Sequence, residues 1–215
     1  MYEPACHKTL LPRWGIIAIG VTVLCYLANA ILGALNQDEG WYLYAARLMM
    51  DGEIPHKDFF FTQGILMPTI YACFGWLWSP QGIYGGRLFT ILLSLLALFI
   101  AGKTVSSCVT TPTDRRMTWV TLCSLLGINL WYTYFTTIPK AYSLCTLGMA
   151  AAFWCLTRVD EAQRLRKGGV IAAGLLLAAL VNVRVSMGVL LPIVTMWLWL
   201  FRNVCGRKAW LIFAL

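Results

Sequence analysis

Charge is what this chain has least of. Only 12% of its 215 residues are charged, against about 25% in a typical soluble domain. Such a deficit excludes an ordinary water-soluble globule. Metal-ligand spacing is also missing. The eight cysteines (Cys6, Cys25, Cys73, Cys108, Cys123, Cys145, Cys155 and Cys205) form no CxxC and no Cys/His pattern. Most lie inside apolar runs and read as small core residues of helices. A cleavable signal is absent too. The first apolar segment has no small-residue cleavage site, so it is expected to stay as an anchor.

What is present is apolar. The chain is 60% hydrophobic, with a mean hydropathy of +0.71. It has ten Trp and nine Tyr, rings that favour the membrane–water interface. The net charge of +8 is read as cytoplasmic loop charge of a membrane protein, not as a nucleic-acid surface.

Residues 14–35 are 22 residues without a charge. At about 1.5 Å each they reach roughly 33 Å, enough for a bilayer core. Further spans are expected over 84–102, 117–135 and 139–157, with two short helices in 170–201 meeting at Asn182-Val183-Arg184-Val185-Ser186. The stretch 65–78 is too short for a full span and reads as a re-entrant or interfacial helix. Together these predict an all-α polytopic bundle of about six spanning helices. Polar loops fall at 102–116, 158–169 and 202–208. The chain ends inside another apolar run, which reads as the N-terminal piece of something longer.

Between the first span and 65–78 lies NQDEGWYLYAARLMMDGEIPHKDFFFTQG (36–64). It holds five of the nine acidic residues: Asp38, Glu39, Asp51, Glu53 and Asp58. WYLYAARLMM predicts a short amphipathic interfacial helix with Trp41, Ala45, Leu48 and Met49 on one face. Asp51-Gly52 should stop it, and Ile54-Pro55 forces an extended step.

Twelve of the 17 Lys and Arg fall in the N-terminus and the loops 102–116, 158–169 and 202–208. The positive-inside rule then puts the N-terminus in the cytoplasm and the acidic loop outside. It does so only if 65–78 does not cross. Arg87, Lys140 and Arg184 join Asp38 and Glu39 at the outer face. Charge at membrane depth is costly and faces a cavity or a partner. Three cations beside a carboxylate pair suggest an anionic head group next to an acid/base residue.

These residues carry a resemblance. Asp38-Glu39-Gly40-Trp41-Tyr42, Ala46-Arg47, Asp51-Gly52-Glu53-Ile54-Pro55, Lys57-Asp58-Phe59-Phe60 and Gly86-Arg87-Leu88 resemble the first outer loop of membrane glycosyltransferases of the GT-C fold. The nearest group is the bacterial relatives of the dolichyl-phosphate-mannose-protein mannosyltransferases. Asn182-Val183-Arg184 with Pro192 is similar to the family's break between two short helices. The likeness covers most of residues 14–202.

It implies that 1–215 is the N-terminal part of one GT-C-like transmembrane domain in a bacterial plasma membrane, with 36–82 as the extracytoplasmic catalytic loop. It implies an inverting transfer of a sugar from a polyprenyl-phosphate donor to an acceptor hydroxyl, on a glycolipid, a polymer or a protein. Asp38 would be the general base and Glu39 would assist. Arg184, Lys140 and Arg87 would take the phosphate charge. Trp41, Tyr42, His56, Lys57 and Asp58 would form the substrate loop.

The family often carries an acidic residue in its second outer loop, linked to a divalent metal. Here WYTYFTTIPKAY (131–142) has none, which leaves Asp38, Glu39 and Asp58 as the residues that could hold an ion.

Plainer readings stand beside these. Asp38 could cap the following helix. Arg87 could pair with an acidic loop residue such as Asp58, and the loop aromatics could serve as interface anchors. The whole chain could be a transport subunit or a non-catalytic remnant of the enzyme. The charges mark no midplane path, and the apolar runs show no inverted repeat of the transporter kind.

Overall fold

The computed structural model describes residues 13–158, 165–201 and Phe213. The N-terminal Lys8, residues 159–164 of the polar loop 158–169, the loop 202–208 and most of the final apolar run lie outside the described residues. So do Cys6 and Cys205.

Among the described residues every regular element is helical. α1 runs Arg13–Leu32 and α2 Gln37–Met50. α3 (Leu66–Cys73) and α4 (Gly75–Trp78) follow, then a 3-10 turn at Ser79–Gln81 and α5 (Gly82–Ser106). α6 spans Pro112–Ile128, α7 Leu130–Thr137 and α8 Ala141–Leu156. α9 (Lys167–Val181), a 3-10 turn at Val185–Val189 and α10 (Leu190–Leu200) follow. Among the described residues, two stretches, Trp14–Leu32 and Gly75–Ser106, are long and apolar enough to cross a membrane.

The break at 182–186 and the stop at Asp51-Gly52 fall where the sequence puts them; Gly52 takes φ 93°, a left-handed value that suits glycine. Residues 65–78 fold as two short helices. Other boundaries move. The polar loop 102–116 shrinks because α5 continues to Ser106 and Pro112 opens α6 at a position where its missing N–H costs nothing. The segment 117–135 is not one helix. Asn129 ends α6 in an extended conformation and caps α7, its side chain accepting from the Tyr132 amide at 2.9 Å.

α8 packs between α5 and α9, α5 also meets α6, and α6 packs on α1. Small residues permit the close crossings, as is usual between apolar helices. A methyl group at Gly127 would come within 2.1 Å of the Thr22 side chain. Polar side chains pin the same crossings: Tyr26 to Thr136 at 3.1 Å, Asn29 to Thr133 at 3.1 Å, and Ser94 to the Thr136 carbonyl at 2.6 Å. No buried side-chain nitrogen or oxygen among the described residues lacks a partner.

The two ends of the bundle differ. Lys103, Arg115, Arg116, Arg158, Arg166 and Lys167 gather where α5 and α8 end and α6 and α9 begin, with Asp114 as the described acid among them. The other end carries the α2 loop with Asp38, Glu39, Asp51, Glu53 and Asp58, and Arg87, Lys140 and Arg184 lie beside it.

Candidate functional site

The site grows from the first turn of α2. Asn36 is the cap: its Oδ1 accepts from the Asp38 amide at 3.0 Å, and Glu39 Oε1 returns to the Asn36 amide at 2.9 Å. This reciprocal box satisfies two helix-end donors. The capping role open to Asp38 in the sequence therefore belongs to Asn36, and the helix begins at Gln37. The Asp38 carboxylate stays 45% exposed.

Glu39 points the other way, into the protein, and is wholly buried. It forms a two-point pair with Arg87: Nε donates to Oε2 and Nη2 to Oε1, both at 2.7 Å. The remaining guanidinium N–H groups donate to the end of α1. Nη1 reaches the Ala30 carbonyl at 2.9 Å and Gly33 at 3.0 Å, and Nη2 reaches Ala34 at 3.0 Å. That engages all five donors of the arginine. Arg87 is buried with its donors engaged by Glu39 and the α1 carbonyls, and Glu39 is buried against it, so in this structure neither stands open for the phosphate-binding and base-assisting roles expected of them. Arg87 pairs with Glu39, not Asp58. The pair ties α2, α5 and the end of α1 together.

Lys140 immediately precedes α8, and its Nζ contacts Asp38 Oδ2 as an ion pair. The same Nζ lies 5.3 Å from the centre of the Tyr142 ring, and the Arg184 guanidinium carbon lies 4.8 Å from it. Both distances are within cation–π range. Arg184 has no carboxylate partner among the described ion pairs. The Tyr142 side chain beside it leads the causes that hold its pKa above the ordinary value. Tyr42 is buried beside them. Burial first, then the Asp38 carboxylate, pushes its phenol up to about 12, with Arg184 opposing.

The loop fixes these groups from outside. Trp41 stacks on Phe61 at 4.7 Å, and Tyr42 meets both rings edge-on. Phe61, Tyr42 and Leu43 belong to the core. The buried face of α2 is thus Glu39, Tyr42, Leu43, Ala45 and Ala46; of the face expected through Trp41, Ala45, Leu48 and Met49, Ala45 is buried and the other three are half-buried. The Leu66 amide donates to the Asn182 carbonyl at 3.1 Å. A methyl group at Gly64 would come within 1.9 Å of that same oxygen. The loop backbone is therefore seated on the break that carries Arg184.

His56, Lys57 and Asp58 stand at an exposed turn away from the cluster. Asp58 Oδ2 accepts from the Ile54 amide at 2.9 Å, and the His56 amide donates to the Phe59 carbonyl at 2.9 Å. His56 takes φ 66°, uncommon outside glycine. The carboxylates that could hold a divalent ion do not converge. Among the described residues no three His, Cys, Asp or Glu come together, because Asp58 closes its own turn and Glu39 faces Arg87.

Sequence reading missed Tyr142 and Gly64. The signal for Tyr142 was its place two residues after Lys140; nothing in the sequence marked Gly64 as a contact of Asn182. An apolar cavity of about 550 Å³ opens elsewhere, among Ala101, Thr104, Phe153, Ile193 and Trp197 at the Lys103 end. It is remote from Asp38. No family model, no curated protein and no solved structure matches this chain.

Proposed function

We propose that the chain is the N-terminal part of an integral-membrane glycosyltransferase of the GT-C kind. It moves a sugar from a polyprenyl-phosphate donor to an acceptor hydroxyl at the extracytoplasmic face. In this reading α1, α5, α6 with α7, α8, α9 and α10 are the crossing elements. The end rich in Lys103, Arg115 and Arg158 faces the cytoplasm, in keeping with the positive-inside rule.

One observation carries the reading. A partly exposed carboxylate with no capping duty, Asp38, stands beside two cations gathered on one ring, Lys140 and Arg184. Asp38 takes the proton of the acceptor hydroxyl as its oxygen bonds to the anomeric carbon. The bond from that carbon to the phosphate oxygen breaks, and the electron pair leaves with the phosphate. Arg184 and Lys140 meet the charge that develops there. Trp41 and Tyr42 wall the site. Glu39 and Arg87 are positioning residues that hold α2, and so Asp38, in place.

The test is Asp38→Asn in the full-length protein, assayed for sugar transfer from a polyprenyl-phosphate sugar. Loss of a general base costs about 10²–10⁴-fold. A variant that keeps the full rate overturns the assignment.

A further inference from the structure

Of the three cations expected to meet the phosphate, Arg87 is saturated by Glu39 and the carbonyls of α1. Arg184 rests on the Tyr142 ring with no acid beside it. Lys140 is the one with two claims on it. Its ammonium contacts Asp38, the carboxylate assigned as base, and also lies against the Tyr142 ring that Arg184 shares. Because both cations sit on one ring, their charged heads are at most about 10 Å apart.

We propose that Lys140 is a latch on the base, opened by the donor's phosphate. This rests on the reading of the site given above. With no phosphate present, Lys140 pairs with Asp38 and neutralises the carboxylate that would accept a proton. A phosphate arriving at Arg184 lies within reach of the flexible four-carbon stem of Lys140. As the diester of a lipid and a sugar it carries one negative charge, as a carboxylate does, but it presents that charge where a second cation already stands. Lys140 moves to the phosphate and Asp38 is freed for the acceptor hydroxyl.

The pair is suited to opening. Asp38 is 45% exposed and Lys140 18%, so solvent screens the attraction and the pair is weak compared with a buried one. The Glu39–Arg87 pair one residue away is fully buried and cannot exchange partners in this way. Tyr142 serves both states, because the ammonium can stay near the ring while it changes its anion. The consequence is an order of events: the base becomes competent only after the donor is seated.

The test uses the full chain in lipid nanodiscs and farnesyl methyl phosphate, a diester with the donor's single charge, as the probe, with dissociation constants for five forms: wild type, three variants of Asp38 and Lys140 (two single and one double), and Arg184→Ala. Relative to wild type, Asp38→Asn binds about three-fold more tightly, because Lys140 no longer has to leave a carboxylate. Lys140→Ala binds several-fold more weakly. The double variant binds like Lys140→Ala alone. This last point separates a latch from simple repulsion between Asp38 and the phosphate.

An Asp38→Asn variant with wild-type affinity overturns the latch. So does a gain that persists undiminished when Lys140 is absent. Probe binding that Arg184→Ala abolishes, with no coupling between Asp38 and Lys140, overturns the latch but leaves the donor reading standing. A chain that binds no probe in any form overturns both.

Discussion

Replacing Arg87 by methionine keeps most of the side-chain length and removes the guanidinium. Glu39 is then a carboxylate with 0% exposure and no cation. Removing one partner of a buried ion pair costs about 3–5 kcal/mol. The Ala30 carbonyl, also buried, loses its donor at the end of α1, adding about 1 kcal/mol or more. Gly33 and Ala34 are more open, and water can replace the arginine there. The total is roughly 4–6 kcal/mol, which at about 2–4 °C per kcal/mol for a chain of this size lowers Tm by roughly 10–20 °C.

Glu39→Met should cost less, because Arg87 keeps its three carbonyl partners. The double variant should lose clearly less than the sum, since both single changes break one pair. Arg87→Lys should not rescue, because a point ammonium cannot face a carboxylate and three carbonyls at once. The assay is thermal unfolding in detergent, followed by helical circular dichroism. An Arg87→Met variant whose Tm falls by less than about 3 °C refutes the clamp. It would return Arg87 to the set of cations open to a phosphate.

Three further outcomes are expected. Gly64→Ala drives a methyl group into the Asn182 carbonyl; it should cost about 1–3 kcal/mol and weaken phosphate binding by displacing Arg184, while unchanged binding refutes that coupling. In a background without other cysteines, Lys57→Cys should react with an impermeant maleimide on intact cells, and the native Cys108 only after permeabilisation; labelling of both from one side refutes a crossing by α5. The Tyr42 phenol, pushed up to about 12 from 10.0, binds a proton in the folded state that the unfolded state releases, so stability should fall as pH rises from about 10 to 12. Tyr42→Phe should flatten that fall by up to one proton, and an unchanged pH dependence contradicts the burial argued for Tyr42.

Local features were legible in the sequence because they are set by neighbours in the chain. α2 with its stop at Asp51-Gly52 and the interruption at 182–186 follow from composition within a few residues, whereas the split of 65–78 at Phe74 does not, since the stretch reads as one short helix. Pairing was not legible. Arg87 and Glu39 are 48 positions apart, and the loop offers five acids to one arginine. Only the packing of α2 over the α1–α5 junction selects Glu39. The split of roles between Asp38 and Glu39 has the same origin. The two are adjacent in sequence, but a helix turns each residue by about 100°, so one faces Lys140 and the other the core. The Asn129 break was hidden by the apolar residues around it.

The contact between Arg87 and α1 also sets a timetable for biosynthesis. The last carbonyls of α1 receive their donor from a residue 54 positions later than Gly33. At roughly 5–20 residues per second of synthesis, the first helix waits several seconds for that arginine. Until α5 arrives, the exit of α1 must be served by water or lipid head groups. The acidic loop, Glu39 included, is made in the interval, before its partner exists. Translation order alone thus makes α5 the element that closes this end of the molecule.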